Sequence, residues 1–286
     1  MKNNFDKHRD VWGPLLSFQM HQWAQQVFSP ASIMIQNDQL PMKQLGEYPI
    51  PWNKPGSGAY FSTNGIAINL IKELPNNYDR VKYFDYAAGE YEMATHEFKK
   101  YILKEAFDII EKYVTKDCAI LDCACGPGYE SILLSSYVPE GEVIALDFST
   151  EMITLAYENA KNTGIKNISF FQADIQKLPE SLHAVFDIIF CHLSCSYFEN
   201  MDIVVNSFYS ALNDNGIVFL VEPYPNITNK SSINSVKAAN PYFTRLYAPE
   251  DFERIFMAAK FNEYFWKEIL PGIGLSIITK KQLHVQ

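Results

Sequence analysis

The residues with the most legible chemistry lie in one stretch, Ala119-Ile120-Leu121-Asp122-Cys123-Ala124-Cys125-Gly126-Pro127-Gly128-Tyr129-Glu130-Ser131. Gly126 and Gly128 lack a Cβ, so the chain can bend sharply there and let a ligand approach its backbone. Asp147 follows 19 residues after Gly128, at the end of another apolar run. A carboxylate in that place can accept hydrogen bonds from both hydroxyls of a ribose. Such a bend is also the device that dinucleotide enzymes use to seat a pyrophosphate over a helix N-terminus. The residues around it therefore decide the ligand.

Three of them argue against a pyrophosphate. Ser131 stands where the dinucleotide fingerprint has its third glycine, and Asp122 stands four residues before Gly126, where such sites hold an apolar residue. Glu130 would repel the phosphates. S-adenosylmethionine carries a sulfonium and an ammonium and no phosphate, so an acidic bend suits it. That contrast favours methyl transfer.

Methyl transfer is an in-line displacement, and much of its catalysis can come from positioning the nucleophile against the methyl group. A base is needed only where the acceptor must lose a proton. His192, at the end of the fourth expected strand, is the leading candidate because imidazole titrates near neutrality. A hydrogen-bonded structural histidine is an equal reading of the same residue. Tyr197, Glu222 and Tyr224 end or follow the fourth and fifth strands and are candidates to line an acceptor pocket, or to face solvent; His96 is a more distant candidate. Five cysteines, at 118, 123, 125, 191 and 195, are an odd number and argue against a disulfide framework. The C-x-C and C-x3-C pairs fall at strand ends, where a small thiol packs well, so no metal site is expected.

These residues need a scaffold, and the hydrophobic pattern supplies one. Strands are expected at 118–123, 142–147, 167–173, 186–192 and 216–222, with helices near 129–137, 150–163, 201–212 and 249–259. The strands are short apolar runs, as in a parallel sheet covered on both faces. Strand-helix alternation implies right-handed crossovers and a doubly wound sheet. Glu263 to Leu270, a Pro271-Gly272-Ile273-Gly274 turn and Leu275 to Lys280 read as a terminal hairpin. A long amphipathic helix is expected over Glu97 to Val114. Upstream, residues 1–95 lack this rhythm; Trp12 to Phe28 and, more weakly, Ile66 to Glu73 carry helical patterns, and the Pro- and Gly-rich Gly46 to Ser57 is irregular.

The motifs Leu121-Asp122-Cys123-Ala124-Cys125-Gly126-Pro127-Gly128 and Ala145-Leu146-Asp147-Phe148-Ser149-Thr150-Glu151-Met152 together resemble the class I S-adenosylmethionine-dependent methyltransferases. The likeness is greatest to the subgroup that acts in ubiquinone and menaquinone biosynthesis. It continues through Gln172-Ala173-Asp174, Leu178-Pro179, Phe186-Asp187-Ile188-Ile189 and Tyr247-Ala248-Pro249-Glu250-Asp251-Phe252, and spans roughly residues 83 to 281. The first ~80 residues match no family pattern. The resemblance implies an α/β fold with a doubly wound, mostly parallel seven-stranded sheet and a C-terminal antiparallel hairpin, in a cofactor domain over 96–286. Residues 1–95, aromatic-rich and without that rhythm, are read from their own pattern as a mainly helical N-terminal cap that covers substrate, or as a dimerisation or core-covering element. The resemblance also implies roles. Asp122 and Gly126, with Cys123, Ala124 and Gly128, would face the methionine moiety, and Asp147 the ribose. Phe148 and Met152 would flank the adenine. Asp174 would accept from its amino group, with Ala173 and Ile175 beside it, although a strand-ending turn residue is the plainer reading of Asp174. Cys191 would contribute backbone near the sulfonium, and Tyr86 and Tyr91 would lie in the segment 83–91 beside the cofactor.

Composition narrows the acceptor. The net charge is −9, and no stretch clusters Lys and Arg, which disfavours nucleic acid. The Asn/Asp-Pro-Pro-Tyr segment of nucleic-acid amino methyltransferases is replaced by Cys191-His192-Leu193-Ser194, and no cysteine follows a proline. No run approaches the ~20 apolar residues of a membrane span. A soluble cytoplasmic enzyme with a small-molecule acceptor is expected, with specialised metabolism as one setting and a homodimer left open. Two other readings stand beside it: a protein of this fold that binds the cofactor but catalyses another reaction such as cyclisation, and a non-enzymatic partner that binds through the aromatic N-terminal region.

Overall fold

The computed structural model describes residues 33–34, 60–62, 67–68, 81, 84–85, 88, 99–100, 102–178, 182–225, 242–270 and 272–281. They group into two compact units, one within 1–95 and 114–181, the other within 96–113 and 182–286.

The first unit is built on three short strands, β4 (Ala119–Cys123), β5 (Glu142–Asp147) and β6 (Ile168–Gln172), every residue of which is buried. They pair parallel in the order β6-β5-β4, with Asp122 level with Ala145 and Asp147 level with Gln172. That register brings the carboxyl ends of the strands together, and both aspartates with them. The crossovers run through α2 (Tyr129–Tyr137) and α3 (Thr150–Lys161). Ser149 caps α3, its hydroxyl accepting the amide N–H of Met152 at 3.2 Å, and so satisfies one of the donors that the first turn leaves unpaired.

Three further strands precede these in the chain, β1 (Ile33–Met34), β2 (Tyr60–Ser62) and β3 (Ala67–Ile68), in the order β1-β3-β2-β6. β2 runs antiparallel to β6, with Tyr60 opposite Phe171. The helix expected over Ile66 to Glu73 is thus overturned at Ala67 and Ile68, which are strand. Ile66, Ile68 and Leu70 recur at every second residue, and that period, with β-branched side chains, belongs to a strand. The described helical residues of the N-terminal region are 81, 84, 85 and 88, so strand accompanies helix there. The helix expected over Trp12 to Phe28 and the irregular stretch 46–57 lie outside the described residues.

The second unit holds β7 (Phe186–His192), β8 (Leu212–Pro223), β9 (Glu263–Leu270) and β10 (Ile273–Thr279), in the order β7-β8-β10-β9. β7 and β8 are parallel; β10 is antiparallel to both β8 and β9. The terminal hairpin therefore forms as expected, its turn shortened because strand resumes at Ile273. β8 begins four residues earlier than its apolar run, since Leu212 already pairs with Phe186 before a register shift. α1 (102–110) buries Ile102, Ala106 and Ile110 of the stripe its spacing predicts, while Ile109 of that stripe is half-buried and Leu103 and Phe107 are buried beside it. It gives way to a 3-10 turn at Glu111–Tyr113; Glu97, Phe98 and Tyr101 lie outside the described residues. α4 (Met201–Ala211) is capped by Asn200, and α5 (Pro249–Ala258) carries proline at its first turn, where the missing N–H costs nothing.

Candidate active site

β4 delivers Asp122 as its penultimate residue, only 1% exposed. The hydroxyl of Ser131, buried in the first turn of α2, donates to Asp122 Oδ2 at 2.5 Å. Ser131 in place of a third glycine is thereby explained: its oxygen fixes the carboxylate that the bend presents. Glu130 beside it is also buried, so the bend and the helix start are acidic throughout.

The bend itself is held by backbone. Ala124 and Gly126 take positive φ angles of 59° and 53°. The amide of Cys125 donates to Leu146 O at 2.9 Å, and that of Gly128 to Cys125 O at 3.0 Å. The side-chain amide of Asn159, from α3, donates to Pro127 O at 3.0 Å. The two glycines have different jobs. A Cβ built on Gly128 (φ 82°) would stand 2.7 Å from Ala156 Cβ and 2.9 Å from its Cα, so Gly128 lets α3 pack against the bend. Among the described residues, a Cβ on Gly126 would meet nothing within 4 Å. Toward those residues Gly126 faces open space, as a residue that admits a ligand must.

Asp147 ends β5 and is 9% exposed. Its Oδ2 accepts the N–H of Gly126 and its Oδ1 the N–H of Ser149, both at 2.9 Å. The backbone N–H of Phe148 also bonds this carboxylate, and the capacity that remains is open to a ligand hydroxyl. Burial pushes its pKa up to about 6, against the hydrogen bonds from Ser149 and Gly126, and the negative charge of Asp85 adds to the rise. Asp85 is a residue that spacing did not single out. It accepts the Ser149 hydroxyl at 2.6 Å and the Glu151 N–H at 3.2 Å, and burial raises its pKa too. Its only sequence signal was membership of the 83–91 segment, far from Asp147 in the chain. Phe148 is half-buried with the Phe84 ring edge-on at 5.7 Å, and Met152 is buried. Asp174 caps the 3-10 turn Ile175–Lys177, accepting the backbone N–H of Gln176 at 3.0 Å, while Ala173 N–H donates to Asp147 O at 2.9 Å. Cys123 and Ile175 are buried. Tyr86 and Tyr91 lie outside the described residues. Of the expected cofactor residues, this unit joins Gly126 of the bend to Asp147 by a direct hydrogen bond, while Asp122 is held by Ser131.

The second unit places the remaining candidates at the carboxyl ends of β7 and β8. His192 ends β7 and is 4% exposed, its ring tilted against Phe190 at 6.2 Å. Cys191 precedes it and is buried. Leu193 follows with φ 53°, a strained value for a branched residue, and Tyr197 closes the 3-10 turn Cys195–Tyr197 with Phe243 edge-on at 5.9 Å. Glu222, 4% exposed, accepts the amide N–H groups of Ser194 at 2.7 Å and Cys195 at 3.0 Å through Oε1. Burial pushes its pKa up to about 8. Glu222 thus shapes the turn after β7 from the neighbouring strand. Tyr224 donates its hydroxyl to Glu268 Oε1 at 2.5 Å and packs edge-on to Trp266, which ties it to the terminal hairpin. None of the five cysteines forms a disulfide, and among the described residues no helix is long and apolar enough to cross a membrane.

Comparison with known proteins adds a family. A sequence profile described as a methyltransferase domain matches residues 114–268. Malonyl-[acyl-carrier protein] O-methyltransferase of Bacillus cereus is 29% identical over 138 residues, covering 48% of this chain and 49% of that protein. Demethylmenaquinone methyltransferase of Listeria welshimeri is 26% identical over 155 residues, 54% of this chain and 62% of that protein. The chain spans about half the length of the first of these relatives. Among solved structures, phosphoethanolamine N-methyltransferase 2 of Haemonchus contortus, in complex with phosphomonomethylethanolamine and S-adenosylhomocysteine, superposes with a TM-score of 0.62 at 18% identity, over 80% of this chain and 60% of that one. At that identity the likeness shows the fold alone, a doubly wound, mostly parallel seven-stranded sheet with a terminal antiparallel pair.

Proposed function

The chain belongs to the methyltransferase-domain family, and from that membership we propose that it transfers a methyl group from S-adenosylmethionine to an oxygen, nitrogen or carbon of a small metabolite. The observation that carries the reading is the acidic bend: a glycine at positive φ facing open space among the described residues, with Asp122 and Asp147 buried beside it. The residues fit the cofactor, since the bend offers carboxylates to an ammonium and to ribose hydroxyls.

Asp147 is assigned to the ribose hydroxyls, through the acceptor capacity its backbone hydrogen bonds leave. Asp122, aimed by Ser131, is assigned with Gly126 and the backbone of Cys123 and Ala124 to the methionine moiety. Phe148 and Met152 are assigned to the adenine faces, and Asp174, Ala173 and Ile175 to its edge. Cys191 is assigned a backbone contact near the sulfur, and Tyr86 and Tyr91 the cofactor's outer side. When bound, S-adenosylmethionine supplies an electrophilic methyl group. His192 then takes the proton where the acceptor must lose one, and Tyr197, Glu222 and Tyr224 shape the acceptor side. Residues 1–95 are assigned as the segment that covers substrate and 96–286 as the cofactor-binding domain.

The reading is of a small-molecule acceptor in the cytoplasm; the acidic net charge speaks against a nucleic-acid partner, and one relative's name specifies demethylmenaquinone. The test is incubation of the purified chain with methyl-labelled cofactor and a fractionated metabolite extract. Label in a small-molecule fraction is expected; label in added DNA or RNA, or cofactor retained without turnover, would refute the reading.

A further inference from the structure

The C-x3-C pair was expected to be core packing, and its surroundings do not fit that explanation. Cys191 is the penultimate residue of β7, Cys195 opens the following 3-10 turn, and Glu222 is the penultimate residue of the adjacent strand β8. The turn folds back because Glu222 Oε1 accepts the N–H groups of both Ser194 and Cys195. One sulfur from each cysteine and one oxygen of Glu222 consequently lie within 4.8 Å of one another, and all three residues are buried. The other carboxylate oxygen, Oε2, is buried with no hydrogen-bond partner among the described residues.

A thiol that merely packs is surrounded by hydrocarbon. Here two thiols that hydrogen-bond to each other converge instead on a buried carboxylate, which the Cys195 thiol also contacts, and its Oε2 is left without a partner among the described residues, a costly state for a buried oxygen. A cation answers both facts.

We infer that Cys191, Cys195 and Glu222 form a site for a thiophilic divalent cation of the zinc class, held by two sulfurs and one carboxylate oxygen. Zinc accepts this mixed set, with bonds of about 2.3 Å to sulfur and about 2.0–2.2 Å to oxygen in tetrahedral geometry. Ligand atoms sharing such an ion stand roughly 3.5–4 Å apart, so the cluster needs to contract by about an ångström at most. The N–H groups of Ser194 and Cys195 provide the outer hydrogen bonds that hold a ligating carboxylate in place. On binding, each coordinating thiol releases its proton to solvent, as does Glu222 if it carries one, and no electrons are exchanged. The fourth position is left to water or to a further ligand. His192, the next residue on the strand, points to the opposite face from Cys191 by strand alternation, so it is not counted among the ligands. The inference does not depend on the methyl-transfer reading, since no cofactor or acceptor enters it.

The full chain, reduced and stripped of metal, is titrated with cobalt(II) alone. One equivalent is expected to produce a thiolate-to-cobalt charge-transfer absorption that one equivalent of zinc abolishes. Cys191→Ser and Cys195→Ser should each lose the band, and Glu222→Gln should weaken cobalt binding at least tenfold while circular dichroism stays as in the wild type. Should the variants fail to fold, X-ray absorption of the zinc-loaded wild type decides: two sulfur scatterers support the site, and a shell of nitrogen and oxygen alone overturns it. Absence of the band in the wild type, or its persistence in the double cysteine variant, also overturns the inference.

Discussion

Replacing Asp147 with asparagine separates what this residue does for the ligand from what it does for the fold. The carboxylate holds the bend through two N–H bonds of 2.9 Å, from Gly126 and Ser149. Asparagine keeps the shape but turns one acceptor into a donor, and that mismatch costs about 1–3 kcal/mol. Against it stands the burial of the charge. Raising the pKa from 3.8 to about 6 corresponds to about 3 kcal/mol of native-state penalty at neutral pH. The sign follows from linkage. The folded protein holds the proton more tightly than the unfolded chain, so this contribution favours folding below pH 3.8 and is lost as the pH rises through about 6. Asparagine escapes that penalty, and Asp147→Asn should be equal to or up to about 2 kcal/mol more stable than the wild type at pH 7.5. For the cofactor, two charge-assisted hydrogen bonds to ribose at about 1.5–3 kcal/mol each are lost, a drop of about 10²- to 10⁴-fold in affinity. Calorimetric titration with S-adenosylhomocysteine, beside a thermal melt, reads both quantities. Affinity within threefold of the wild type would refute the assignment of Asp147 to the ribose, and a much lower melting temperature would refute the account of its buried charge.

The remaining predictions use the same logic. Gly126→Ala should cost about 1 kcal/mol of stability, from its positive φ alone, yet weaken cofactor binding at least tenfold; Gly128→Ala, clashing with Ala156, should cost about 2–4 kcal/mol, and equal melting temperatures for the two would contradict their separate roles. His192→Ala is expected to lower turnover while leaving cofactor affinity in calorimetry near the wild-type value, and unchanged turnover would remove it as the base. Glu142 is buried at the start of β5, accepting one hydrogen bond from Ser169, and burial pushes its pKa from 4.5 up to about 8. Its contribution to folding is full below pH 4.5 and is lost as the pH rises through about 8. Glu142→Gln should therefore gain about 3 kcal/mol at pH 7, read by urea denaturation, and a less stable variant would show that the carboxylate has a partner the account lacks.

Much of this architecture was legible because it rests on local signals. The strands 142–147 and 186–192 matched residue for residue, since an unbroken apolar run bounded by turns leaves little choice in a sheet buried on both faces. Ser149 stands in the motif directly before the helical run, the place of a helix cap, and the structure puts its hydroxyl on the Met152 amide. The early start of β8 was not readable, because Asn213, Asp214 and Asn215 are polar, and it is Leu212 before them that pairs with Phe186 of β7, ahead of a register shift to Ile217. Ala67 and Ile68 were misread because a short run allows either period until a partner strand selects one. At the site, the acidic bend was visible as residue types. What escaped were pairings between distant positions, which no spacing encodes: Asp85 with Ser149, and Glu222 with the turn that carries Cys195.

The account stands on the preference of the bend at Gly126 for a positively charged, phosphate-free nucleoside. Parallel calorimetric titrations of the wild-type chain with S-adenosylmethionine and with NAD measure that preference without any substitution. Saturable one-to-one binding of S-adenosylmethionine, with NAD at least a hundredfold weaker, is the predicted result. Comparable or tighter binding of NAD, or no heat from either ligand, would contradict it.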